Sequence, residues 1–391
     1  MHRFSGELAE NRVGEKMEIE MDVSFLAQAT NRMQGALSET SLPYVALQAD
    51  GNHLRFSATD RALSVFCEAD CHVEKKGEVS VPARLLCNIA RQLPSGRVRL
   101  QRENASLQLT SLETQLQMKI PLFDAMGWKE APTVESGQPG CSISSAKLAF
   151  ALSQVQACVS QEAQQNYAAV AYLHRRGASG LRWVGTDGFR LSYCEVSVEM
   201  APTFLQGEGV CLSKRGVTEL LRMCQDVAGD IELTLFDGNT KLLAQAGEYR
   251  LFFSLSAVEY PNYIGVLPKG MPHRVILSKG EMVQAIKRLL LVANKSNAIV
   301  LSFSQNQLLL HGKSADSSEG KEILSVEFAS SGKVAFVVNG KFLQDSLSLI
   351  SGPQALLAFG DGDTPLVLSE TGESLIYESR HLLVPIKESA E

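Results

Sequence analysis

The chain has 391 residues, 45% of them hydrophobic and 20% charged, with a formal net charge of −6. That length exceeds one ordinary core and predicts two or three domains. The composition excludes a disordered or low-complexity chain, and no stretch approaches the roughly 18–20 unbroken apolar residues that would span a bilayer. Net negative charge taken whole argues against a nucleic-acid partner, an expectation that the distribution of charge reverses.

In chain order, residues 1–16 form a polar extension without the apolar core of a secretory signal. With eight cysteines lacking paired spacing, this predicts a reducing, cytoplasmic setting and no membrane partner. A helix is predicted over 23–37, then strands around LRFSATDRALSVFCEA (54–69). A second helix follows over 82–93, with Pro82 at its first turn and Leu85, Leu86, Ile89 and Leu93 as its apolar stripe. Cys67, Cys71 and His72 are the tight Cys/His cluster; without a second ligand pair, no metal is expected.

After the polar VESGQPG (134–140) the order recurs. A helix over 145–159 precedes LRWVGTDGFRLSYCEV (181–196), where Asp187-Gly188 is predicted as a two-residue hairpin turn. The next helix, 213–224, opens at Ser213 and turns Val217, Leu220, Leu221 and Cys224 to one face. After LPKGMP (267–272), a helix over 279–293, the weaker copy LHGKSADSSEGKEIL (310–324) and a helix over 340–350 complete a third round. Asp60, Asp187 and Asp316 are spaced by 127 and 129 positions, and Pro82, Ser213 and Asn339 are equivalent helix starts. Units of this size bury their own cores, so three repeated α+β domains are expected: 17–138, 139–268 and 269–391, each with two helices against antiparallel sheets.

The six helix windows hold eleven basic residues: Arg32, Arg84, Arg91, Lys147, Lys214, Arg215, Arg222, Lys279, Lys287, Arg288 and Lys341. They hold three acids, so they carry +8 and the rest of the chain −14. Arg84, Arg215 and Lys341 align with one another. A solvated face accounts for any one such helix; a bias shared by all six in an acidic chain points to a surface that meets phosphates.

These repeats, together with TDGFRL, EYPNYIGVLP (259–268) and LLVPI (382–386), closely resemble the bacterial DNA polymerase III β subunit family, the sliding clamps. The resemblance covers residues 17–391. It implies two three-domain subunits paired head to tail as a homodimer, forming a six-domain ring with helices lining the hole. Such a ring holds duplex DNA without reading sequence and tethers the replicative polymerase; the basic helix residues named above would face the DNA. The resemblance also implies a cleft for short partner peptides from the DNA polymerase III catalytic subunit, the clamp loader and repair or translesion polymerases. The matching positions are Gln164, Tyr167, Thr186, Gly188, Phe189, Arg190, Leu191, Pro261, Val266, Asn339, Phe342, Leu382, Val384, Pro385 and Ile386. RLLLVANK (288–295) resembles the subunit contact, with Leu290 and Leu291 at its centre.

The chain departs from the pattern in several places. Phe189 replaces a frequent His, Gln164 and Tyr167 replace Arg and Leu, Glu39 replaces a DNA-facing Arg, and Ala62 replaces an acid. An accessory clamp, or a partner-gathering scaffold that does not load on DNA, is the alternative reading. No Gly-rich phosphate loop, G-x-S-x-G or H-E-x-x-H occurs, so neither an enzyme nor a cofactor is expected.

Overall fold

The computed structural model describes residues 17–37, 44–60, 62–123, 130–160, 165–328, 332–360, 363–372 and 377–387. Residues 1–16, Glu39 and Gln164 lie outside them. The chain divides into two compact units: 1–138 with 231–254, and 139–230 with 255–391.

In the first unit one antiparallel sheet runs in the order His72–Lys75, Glu18–Asp22, Arg97–Glu103, Ser106–Ser111, Gln117–Pro121. A second antiparallel run is Lys241–Ala246, Tyr249–Ser254, Leu63–Asp70, His53–Thr59, Tyr44–Asp50, Gly77–Pro82. Arg250 pairs with Phe66 and Phe253 with Leu63, so strands from the second repeat complete the sheet of the first. Helices α1 (Val23–Met33) and α2 (Ala83–Gln92) pack together, and the Cys87 thiol meets the Thr30 carbonyl at 3.0 Å. Asp22 caps α1 by accepting from Ser24 N at 2.7 Å, satisfying an amide the helix leaves unpaired.

The buried stripe of α2 differs from the predicted one. Ala83, Leu86, Cys87 and Ala90 are buried, while Leu85 is 40% exposed and Ile89 is half-buried. The small residues Ala83, Cys87 and Ala90 share the inward face with Leu86, and Leu85 is turned aside. Pro82 occupies the N-cap, not the first helical position, because its ψ of 114° is not helical. In the second-repeat helix Leu221 is half-buried, and Met223 takes its place in the core.

In the second unit an eight-stranded antiparallel sheet runs Val210–Ser213, Val170–Arg176, Gly180–Thr186, Arg190–Ser197, Tyr377–Leu383, Leu366–Glu370, Gln354–Phe359, His273–Ser278. Its central seam, from Arg190↔Leu383 to Val196↔Tyr377, joins the second repeat to the third. A four-stranded sheet runs Glu319–Ser325, Gln307–Lys313, Ala298–Ser304, Val334–Asn339. Helices α3 (Ser145–Gln156) and α4 (Lys214–Asp226) pair, as do α5 (Lys279–Leu290) and α6 (Gly340–Leu349). Ser144, Ser213 and Asn339 supply side-chain caps to α3, α4 and α6.

Each Thr-Asp or Ala-Asp copy closes a turn in the same way. Asp60 Oδ1 accepts from Ala62 N and Leu63 N, both at 2.8 Å; Asp187 Oδ1 accepts from Phe189 N and Arg190 N, both at 3.0 Å. Asp316 Oδ1 accepts from Ser318 N at 3.0 Å. A short carboxylate on its own downstream amides is the chemistry that makes Asp a turn residue. In the second copy the central pair is Gly188-Phe189, one residue later than predicted. Asp187 N bonds Arg190 O, and Gly188 takes φ 88°, a left-handed backbone that glycine adopts without strain.

Candidate functional site

The second unit gathers most of the residues expected in the peptide cleft. Strand pairing sets Leu191 opposite Leu382, and both enter an apolar cluster with Val184, Tyr193, Tyr263 and Val367. Tyr172, Tyr260 and Leu267 pack against that cluster, with the Tyr172 and Tyr260 rings stacked at 4.7 Å. The turn tip joins the C-terminal segment through Val384 N, which donates to Phe189 O at 3.0 Å. Ile386 N donates to Val337 O at 2.7 Å, which brings the segment beside the strand that ends at Asn339. The Tyr167 hydroxyl stands 3.8 Å from where a Gly188 Cβ would lie.

Four apolar side chains in these segments remain open to solvent: Phe189 at 68%, Val266 at 56%, Val384 at 49% and Ile264 at 45%. Pro261 is also exposed, while Pro385 and Ile386 are half-buried. Exposed apolar side chains beside a buried apolar cluster are what an apolar peptide end requires, and each one covered contributes roughly 1.5–3 kcal/mol when fully buried.

Three of the expected residues are committed within the fold. Thr186 Oγ1 donates to Arg190 O at 2.7 Å. Arg190 is buried, donating to Asp187 Oδ2 at 3.0 Å, Asp345 Oδ2 at 2.8 Å and Ala157 O at 2.6 Å, with its guanidinium 4.2 Å from the centre of the Phe342 ring. Asn339 Oδ1 caps α6 through Lys341 N and Phe342 N, and its amide donates to Ser296 O at 3.1 Å. Nothing in the sequence marks Asp345 for this role: it is 155 positions from Arg190, and no local pattern joins the pair.

A polar network lies under the segment 259–268. His174 Nε2 and Tyr263 Oη are 2.7 Å apart, and Arg182 reaches the same hydroxyl at 3.4 Å. Burial holds the His174 imidazole down at about 4, and Arg182 and Arg176 push the same way against its bond to Arg175 O. Burial raises the Tyr193 hydroxyl, helped by its bond to the Glu378 carboxylate. The same cause lifts the Cys158 thiol to about 11, which suits an inert core residue.

The helix cations fall into two groups. Arg84, Arg215 and Lys341 are each the second residue of α2, α4 and α6. Arg84, Arg91, Lys287 and Lys341 are exposed. The others are more engaged. Arg32 lies over Tyr249 at 4.6 Å, and Lys214 donates to Val159 O at 2.6 Å. Arg222 pairs with Glu219 at 2.9 Å, Arg288 pairs with Glu322, and Lys279 donates to Ile350 O. Lys147 reaches Ser197 O at 3.4 Å. At the expected subunit contact Leu291 is 84% exposed, whereas Leu290 packs onto the core. Among the described residues no group of three His, Cys, Asp or Glu is placed to hold a metal ion.

Residues 18–126, 142–262 and 265–385 match models of the N-terminal, central and C-terminal domains of the DNA polymerase III beta subunit. The chain is 26% identical over 356 residues to the beta sliding clamp of Pseudomonas putida, covering 88% of this chain and 92% of that one. It is 22% identical over 384 residues to the beta sliding clamp of Caulobacter vibrioides, covering 95% and 100%. The crystal structure of the DNA polymerase III subunit beta from Pseudomonas aeruginosa matches with a TM-score of 0.85 at 23% identity, over 95% of this chain and 100% of that one. A sliding clamp from Bartonella birtlesii bound to griselimycin matches with a TM-score of 0.86 at 24% identity, over 95% and 100%. At these identities the structural likeness is one of fold.

Proposed function

The chain belongs to the DNA polymerase III beta subunit family, and we propose that it is a sliding clamp that encircles duplex DNA and tethers the replicative polymerase. The observation that carries this reading is the threefold recurrence of a helix pair whose second helix bears a cation at its second residue, in a chain that is acidic elsewhere. A topological ring needs only weak, sequence-independent phosphate contacts, because tight ones would stop it sliding. Exposed Arg84, Arg91, Lys287 and Lys341 supply such contacts, with the more engaged helix cations adding to the local field.

Two copies with domains 17–138, 139–268 and 269–391 close the ring head to tail, a heterologous contact made twice. Leu291 stands at that contact; because Leu290 is spent on the core, Leu291→Lys is the clean variant for converting dimer to folded monomer. The cleft around Leu191, Leu382 and Tyr263 takes the short peptides of the polymerase catalytic subunit, the clamp loader and repair polymerases. Its exposed Phe189 favours partners with an added apolar residue. The role is non-enzymatic and is carried out in the bacterial cytoplasm, on the nucleoid.

Loading onto nicked circular DNA followed by linearisation is the decisive experiment. The protein is expected to stay on the circle and to leave once ends are cut. Retention that does not depend on topology, or no loading at all, would favour a partner-gathering scaffold instead.

A further inference from the structure

Tyr263 lies between Pro261 and Val266, in the segment whose apolar side chains stand open to solvent, yet Tyr263 itself is only 4% exposed. Its hydroxyl meets two side chains of the eight-stranded sheet, His174 and Arg182. The direction of each bond follows from the chemistry. His174 Nδ1 is 3.1 Å from the Arg175 carbonyl, which can only accept, so Nδ1 carries the ring proton. Nε2 is then an acceptor, and the Tyr263 O–H donates to it at 2.7 Å. A guanidinium only donates, so the Tyr263 oxygen accepts from Arg182. Arg182 is itself fixed by Glu195 at 2.7 Å and by the Tyr193 ring at 4.3 Å.

The segment's backbone bonds are short-range turns: Tyr263 N to Pro261 O, Gly265 N to Asn262 O and Leu267 N to Ile264 O. The packing of Tyr260, Tyr263 and Leu267 on the apolar cluster holds it down, but packing is not directional. The Tyr263 hydroxyl supplies the missing direction. We propose that His174 and Arg182 are positioning residues for the peptide cleft, acting through the Tyr263 hydroxyl to fix the wall that presents Pro261 and Val266. This rests on the reading of the cleft as a peptide site.

The test titrates a fluorescein-labelled peptide, with Gln near its start and Leu-Phe at its end, against the full chain. Tyr263→Phe keeps the ring and removes the hydroxyl; His174→Phe keeps a ring and removes the acceptor; His174→Gln keeps an acceptor. Loss of the 2.7 Å bond, common to the two Phe variants, predicts an affinity about fivefold weaker for both, and within about twofold of wild type for His174→Gln. Backbone amide exchange over 259–268 should quicken in the Phe variants and not in His174→Gln. A merely structural role would lower the thermal midpoint without this rescue. Equal affinity for wild type and Tyr263→Phe, or equal losses in both His174 variants, would overturn the inference and leave the cleft reading standing. Failure of wild type to bind the peptide would overturn both.

Discussion

The hairpins at 54–69 and 181–196 share a turn and a cross-strand ion pair, and they differ in what surrounds them. In the first, Arg55 pairs with Glu68 at 2.9 Å with its side chain 41% exposed; in the second, Arg182 pairs with Glu195 at 7% exposure, under the Tyr193 ring and against Tyr263. Leu63 follows the first turn and fills the core; Arg190, its counterpart, is also buried but reaches Asp187, Asp345 and Ala157. At the tips, Ala62 stands where the second hairpin has exposed Phe189. The turn chemistry is common property of the fold. The site arises where the positions after the turn acquire long-range partners.

The ion pairs break this comparison most sharply. Arg182→Ala empties the site of a buried guanidinium and takes a partner from a half-buried carboxylate and from the Tyr263 hydroxyl, and should cost about 3 kcal/mol, whereas Arg55→Ala, removing a guanidinium that is 41% exposed, should cost less than ~1 kcal/mol. Urea unfolding of both variants checks the ratio; equal costs would mean that burial does not separate the two pairs.

Acid should weaken the fold through the second unit. His174 and His381 are held neutral at about 4 by burial, below their unfolded value. A depressed imidazole stabilises fully above the unfolded value of about 6.5 and loses that contribution as pH falls towards 4, up to roughly 3 kcal/mol per group. Charged neighbours of His174 are Arg182 and Arg176, which resist its protonation further. Unfolding measured from pH 7 down to pH 5 should show this slope, and His174→Gln should flatten it.

The shared turn gives a smaller effect. Asp60→Ala frees two backbone amides and should cost about 1 kcal/mol. Asp187→Ala also removes a partner of Arg190 and should cost about 2 kcal/mol. Only the Asp187 variant should weaken peptide binding, a difference that titration calorimetry reads directly. Phe189→His is the mildest change. At 68% exposure it should leave stability within ~0.5 kcal/mol and shift affinity a fewfold towards peptides without an extra apolar residue.

The sequence by itself carried the threefold order, the helix starts, the turn aspartates and the charge split. Each rests on local chemistry: a carboxylate bonds amides two and three residues on, a cap bonds the first free N–H groups, and a helix shows its apolar face every three or four residues. Where the local signal was ambiguous, packing decided. Leu85 is turned outward, while Ala83, Cys87 and Ala90 share the inward face of α2 with Leu86. The turn centre slid to Gly188-Phe189 because strand pairing set the register. Tertiary structure alone decided that strands of one repeat finish the sheet of another, at Arg250↔Phe66 and Arg190↔Leu383. It also decided that Arg190 answers to Asp345 and that one tyrosine hydroxyl joins His174 to Arg182. These side-chain partners lie from 81 to 155 positions apart, from Arg182–Tyr263 to Arg190–Asp345. No periodicity or spacing along the chain reports such pairs, because they form only when the folded backbone removes both groups from water together.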